Sequence, residues 1–126
     1  MRDMDDYRGT REFYLVLGEC ITAARNEEYR YYKDIAEHLP DVPSSGSYMA
    51  NQTGTVLGAV SEAMHESDLP MISAVVVRTS DERPGPGFYK LAHKLGRLAR
   101  EPDALSDEEK EQFWQAELER VYEVWG

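Results

Sequence analysis

The sequence predicts a mostly helical α+β domain, about five helices around one short sheet. Three observations carry this. Apolar residues recur at helical spacing in several separate segments, a single valine-rich run (Met71–Val77) reads as a strand, and clusters of Pro, Gly and Ser divide the chain between them. At 126 residues and 41% hydrophobic, the chain has the size of one domain with one core, so residues 1–126 are taken as a single unit. No apolar stretch approaches the roughly 20 residues that cross a bilayer, and the opening Met1-Arg2-Asp3-Met4-Asp5-Asp6 is too acidic for a signal peptide. A cytoplasmic protein without a membrane partner is expected, and a lone Cys20 suits a reducing compartment.

Residues 1–9 hold five charges and a glycine and are expected to fray. Thr10 then caps a helix over 11–26, in which Phe13, Val16, Leu17, Cys20, Ile21 and Ala24 share a face. Gly18 inside it suggests a close helix contact. Cys20 on the apolar face reads as a small buried hydrophobe rather than a nucleophile. Tyr29 to Leu39, stopped by Pro40, forms a short second helix. Its tyrosines suit the edge of a core, with stacking on a partner as the other use. Residues 40–52, with Pro40, Pro43, Ser44, Ser45, Gly46 and Ser47, read as a loop. Asn51 or Thr53 caps a third helix over 53–66, where Gly54 and Gly58 permit another backbone to approach.

The β-branched Val75-Val76-Val77 make residues 71–79 the best strand. It needs a partner, because a single strand cannot satisfy its own backbone groups. The candidates are residues 84–89 folding back through Ser80–Arg83, a piece of 40–52, or the same strand of a second copy. Pro84-Gly85-Pro86-Gly87 lacks the lysine and the spacing of a phosphate loop and reads as a rigid turn into a helix over 88–100. Lys90, Lys94 and Arg97 would share one side of that helix, either as a solvated face paired with the acidic tail or as a contact surface. Ser106 and Glu109 form a capping box for a last acidic helix within 106–126, with Phe113, Trp114, Leu118, Val121, Tyr122 and Trp125 on its apolar face. Its tryptophans read as core anchors, with a dimer interface as the other use.

The net charge of −10 is uneven: residues 1–77 carry −7, 84–100 carry +4 with no acid, and 101–126 carry −7. An acidic exterior argues against nonspecific nucleic-acid binding, which depends on releasing counterions from phosphates. The basic segment leaves a local exception. His38, His65 and His93 lie in separate segments without metal-ligand spacing, and no nucleophile and base pair up, so no catalytic residue, metal or cofactor is expected and the chain reads as a binding protein rather than an enzyme.

Over residues 31–96, Tyr32-Lys33-Asp34-Ile35-Ala36, a following helix, Leu69-Pro70 and the valine run are similar to winged-helix DNA-binding modules, including the DNA-binding half of alkyltransferase-like proteins. The narrower pattern of Leu69-Pro70, Ser73, Val75–Val77 and Pro84–Phe88 resembles small uncharacterised proteins of phages and other mobile elements. No cysteine follows Pro70, so alkyl-transfer chemistry is not implied, and the helix in the recognition position, 53–66, has no Lys or Arg. The resemblance implies a modified winged helix. It implies a non-enzymatic accessory protein that contacts a host or phage protein through Tyr31, Glu108, Glu111 and Trp125 and inhibits nucleic-acid-handling defence machinery. The alternative is a binder of double-stranded DNA using Lys90, Lys94, Arg97 and Arg100, with Arg78 and Arg83 on a wing. The same basic set would serve an acidic partner, and a homodimer is compatible with either.

Overall fold

The computed structural model describes all 126 residues and is mostly helical, with one two-stranded sheet. In chain order the elements are α1 (Met4–Tyr7), α2 (Arg11–Arg25), β1 (Arg30–Tyr31), α3 (Tyr32–Ala36), α4 (Gly46–Glu66), β2 (Val76–Val77), α5 (Pro86–Lys94) and α6 (Asp107–Trp125), with 3-10 turns at Ile72–Val75 and Pro102–Ala104. No helix is long and apolar enough to cross a membrane.

Within residues 1–9, expected to fray, the structure places a short helix, Met4–Tyr7. Asp3 and Asp6 each accept a hydrogen bond from the other's backbone N–H, which starts α1. The fully buried Tyr7 donates its hydroxyl to Gln52 of α4 at 2.7 Å. Thr10 caps α2 by accepting from the Phe13 N–H, and Phe13, Val16, Cys20, Ala23 and Ala24 face inward. Gly18 lies on the exposed side and touches no neighbouring element, so the expected close contact is not made there.

The valine run is the centre of the molecule, but only its last two residues are a strand. Met71 to Val77 are all buried. Side chains satisfy part of their backbone: Met71 N–H donates to Glu117 (2.8 Å), Ser73 N–H to the Ser61 hydroxyl (3.1 Å), and Ala74 C=O accepts from the Trp114 indole (2.8 Å), while Ala74 N–H and Val76 N–H bond the Met71 and Ser73 carbonyls within the turn. Side chains from α4 and α6 thus meet part of the demand that a neighbouring strand would otherwise meet. The partner of β2 is β1, in parallel register with Arg30 opposite Val76 and Tyr31 opposite Val77. This replaces all three expected partners and takes residues 30–31 out of the expected second helix. Beyond β2, Arg78 N–H donates to Arg83 C=O and Glu82 N–H to Arg78 C=O, closing a tight turn.

Two helix boundaries also move. The third helix begins at Gly46, not near residue 53, with Ser45 at the N-cap position and a left-handed backbone at Gly46 (φ 94°) turning the chain into it. Residues 46–51 are exposed apart from the partly buried Met49, so they carry no hydrophobic period. α5 stops at Lys94, because Gly96 (φ 80°) reverses the chain and the Arg97 N–H folds back onto the Ala92 C=O. The basic segment 88–100 is therefore not one helix. α6 starts at the expected Ser106/Glu109 capping box.

Candidate functional site

Between α4 and α5 lies a cleft of about 670 Å³, floored by Ser73 and Val76. That volume falls in the range of small-ligand sites, roughly 300–1,000 Å³. Helix geometry explains why it is there. Ala50, Gly54 and Gly58 stand four residues apart on α4, and Gly87, Lys90, Leu91 and Lys94 share the opposing side of α5. These small residues lower the middle of the α4 wall, with Asn51 and Thr55 beside them, while the α5 wall carries one leucine flanked by two lysines. Met4, Met49, Leu57 and Phe88 extend the apolar lining, and the Pro84–Gly87 turn closes one margin.

The electrostatics of the cleft oppose those of the molecule. The chain has 24 acidic and 14 basic residues, yet the cleft is lined by Arg78, Lys90 and Lys94 and by no Asp or Glu. Arg78 is held by Asp81 at 2.5 Å. Burial pushes the Asp81 carboxyl up, but hydrogen bonds from the Arg78 side chain and the Arg83 backbone outweigh it and hold the carboxyl below its ordinary range. Lys90 and Lys94 are exposed and have no carboxylate within 4 Å. An apolar body with a negative group is the complement of such a surface.

Gly54 and Gly85 shape the cleft for different reasons. A Cβ at Gly54 would meet nothing within 4 Å, so no packing contact requires glycine there, and the empty space belongs to the cleft. A Cβ at Gly85 would stand 2.6 Å from the Tyr32 hydroxyl. Tyr32 is thus seated directly on the Gly85 backbone, and burial raises its hydroxyl above the ordinary tyrosine range.

The sequence-predicted contact residues separate into distinct settings. Arg78, Lys90 and Lys94 meet at the cleft. Arg83 pairs with Glu111 at 3.1 Å, in a smaller hollow of about 330 Å³ where Arg78, Arg83 and Lys110 face Asp81, Asp107 and Glu111. That hollow is charge-balanced. Arg100 pairs with Glu109. Arg97 turns inward, donating to the fully buried Glu117 at 3.0 Å, to His65 Nδ1 at 2.9 Å and to Leu69 C=O at 2.5 Å. It does not share a side with Lys90 and Lys94, because the helix has ended before it. Tyr31 donates its hydroxyl to Glu82 at 2.7 Å, Glu108 is exposed, and Trp125 is half-buried against the core. Those two and the Arg83–Glu111 pair do not line the cleft.

Sequence reasoning missed most of the cleft lining. Gly54 and Gly58 were visible as a spaced pair, and Gly58 does receive a neighbour, the Met4 side chain, whose sulfur would lie 3.1 Å from a Cβ there. That the neighbour is the N-terminal turn had no signal in a segment read as frayed. Cys20 lies in the core, fully buried, and burial pushes its thiol up to about 12. The histidines remain apart: His38 lies 3.2 Å from Glu19, His65 accepts from Arg97, and His93 Nδ1 is 2.9 Å from the Leu98 carbonyl. Comparison with protein-family models, with curated proteins and with solved structures gives no match for this chain.

Proposed function

We infer that this protein is a non-catalytic binding module, and that it engages its partner by receiving an anionic, largely apolar group in the cleft between α4 and α5. One observation carries the reading: in an acidic protein, the cleft has cationic side chains and no carboxylate on its lining. The acidic exterior as a whole repels an anion, and the cations of the cleft reverse that locally. Support for an accessory role on a mobile element, acting on a nucleic-acid-handling protein, comes from the sequence resemblance over residues 31–96 and is separate from the cleft.

The second reading is a modified winged helix bound to duplex DNA. Lys90 and Lys94 favour it as free cations on one helix face. Against it stand the ion pairs of Arg78, Arg83, Arg97 and Arg100, since phosphate binding needs several free cations at once, and the parallel pairing of β1 with β2, since a wing is an antiparallel hairpin.

The test compares wild type with Lys90→Glu/Lys94→Glu and with Gly54→Leu, each immobilised in nuclease-treated lysate, with retained proteins and small molecules identified by mass spectrometry. Material held by wild type and lost by both variants is the expected result. Equal retention by all three would place binding outside the cleft. A duplex-DNA shift abolished by charge reversal but kept by Gly54→Leu would favour the second reading.

A further inference from the structure

We propose that the occupant of the cleft is a free single-chain amphiphile with a carboxylate or phosphate head, its head between Lys90 and Lys94 and its chain running over Leu57, Leu91 and Val76. This rests on the anionic-cleft reading above and narrows it to one chemical class.

Charge complementarity selects the head. Lys90 and Lys94 are one helical turn apart on α5, both line the cleft, and neither has a carboxylate partner. The walls select the tail. A peptide entering the cleft would bring its own N–H and C=O groups, each needing a partner once buried. The walls offer few: of the neutral polar side chains on the lining, Tyr32, Asn51, Thr55, Ser73 and Thr79, both Thr55 and Ser73 are already hydrogen-bonded within the protein. Pro84 and Pro86 have no N–H, α4 from its second turn onward uses its backbone in its own helix, and Arg78 N–H and C=O already bond Arg83 and Glu82. A hydrocarbon chain makes no such demand. A nucleotide is disfavoured on the same ground, since the Pro84–Gly87 turn lacks the run of N–H groups that cradles phosphate.

Two features fit a chain of variable length. Met4 and Met49 lie on the cleft wall, and unbranched thioether side chains adapt their shape to what they cover. Gly54 keeps open a space that alanine would narrow, although alanine is the better helix former. The site is a concave cleft of about 670 Å³, which admits a monomeric amphiphile and not a bilayer.

The experiment uses the full chain labelled at the methionine methyl groups, followed by NMR during titration with sodium dodecanoate below its micelle concentration. Five methionines give five probes. Met4 and Met49 should shift saturably, while the fully buried Met71 stays and reports an intact core. Lys90→Gln/Lys94→Gln should weaken binding about ten-fold, and Gly54→Leu should abolish the shifts. Acetate, a head without a chain, should cause none. Dodecyltrimethylammonium binding as tightly as dodecanoate, or dodecanoate moving Met71 in place of Met4 and Met49, would overturn both this inference and the anionic-cleft reading. A leucine–glutamate amphipathic peptide that moves Met4 and Met49 at lower concentration than dodecanoate would overturn the amphiphile and leave the cleft reading standing. Phosphatidylglycerol vesicles that sediment wild type and Gly54→Leu equally would assign the lysines to a membrane surface and overturn the inference.

Discussion

At Gly85 the backbone dihedrals (φ −70°, ψ 169°) suit any residue, so glycine is required there only by contact with the Tyr32 hydroxyl. Gly85→Ala should lower stability by about 1–3 kcal/mol through overpacking. Tyr32→Phe removes the obstructing oxygen, so Gly85→Ala should cost clearly less in that background. Additive losses in urea unfolding would show that the two residues do not meet. Neither residue signals this contact in the sequence, because they lie far apart along the chain and each has an ordinary local explanation, a turn glycine and a helix tyrosine. Cys20 is the opposite case. Its place in the spacing of Phe13, Val16 and Ala24 made burial legible, and burial raises its thiol to about 12. The native protein should therefore resist thiol reagents at neutral pH, reacting only as it unfolds. Labelling faster than opening of the core would contradict the burial.

Among the elements, α2 and α6 were legible because a cap and a hydrophobic period coincide in each. At α6 the Ser106 backbone N–H and its hydroxyl hold the Glu109 carboxyl below the usual glutamate range. A depressed carboxyl adds stability above its unfolded range, and that stability is lost as pH falls through the folded value. Glu109→Gln should therefore lower the melting temperature at pH 7 and flatten its decline below about pH 5. Two curves that stay parallel down to pH 3 would show that the charge contributes nothing. The start of α4 and the end of α5 were not legible, since each depends on a glycine with positive φ, Gly46 or Gly96, and composition alone does not distinguish such a glycine from one inside a helix such as Gly54. That interior glycine has its own expected outcome: Gly54→Ala should raise stability by about 1 kcal/mol and narrow the cleft. A higher urea midpoint with weaker dodecanoate binding would separate the fold's preference from the site's.

In the molecule as a whole, the valine run is held by the side chains around it, and Glu117 is their meeting point. One oxygen of its fully buried carboxylate accepts from Met71 N–H and Arg97, and the other accepts from Arg120. Arg97 also reaches His65 of α4 and Leu69 C=O, so this one carboxylate ties together α4, the chain after α5, α6 and the start of the central run. The sequence could not show it. An arginine in a basic segment reads as surface, a glutamate in an acidic helix reads as solvated, and a buried 3-10 turn has the same continuous apolarity as a buried strand. Arg97→Met would leave Glu117 fully buried with only Arg120 as a charged partner, and loss of one member of a buried pair costs about 3–5 kcal/mol. Lys94→Met, one turn earlier in the same basic segment but exposed, should change stability by no more than about 0.5 kcal/mol. Arg97→Met/Glu117→Gln should recover part of the loss, because the stranded charge is gone. If urea unfolding instead gives Arg97→Met and Lys94→Met the same small change, Arg97 is a surface cation, and the helix reading of 88–100 returns with a continuous basic stripe for a partner to meet.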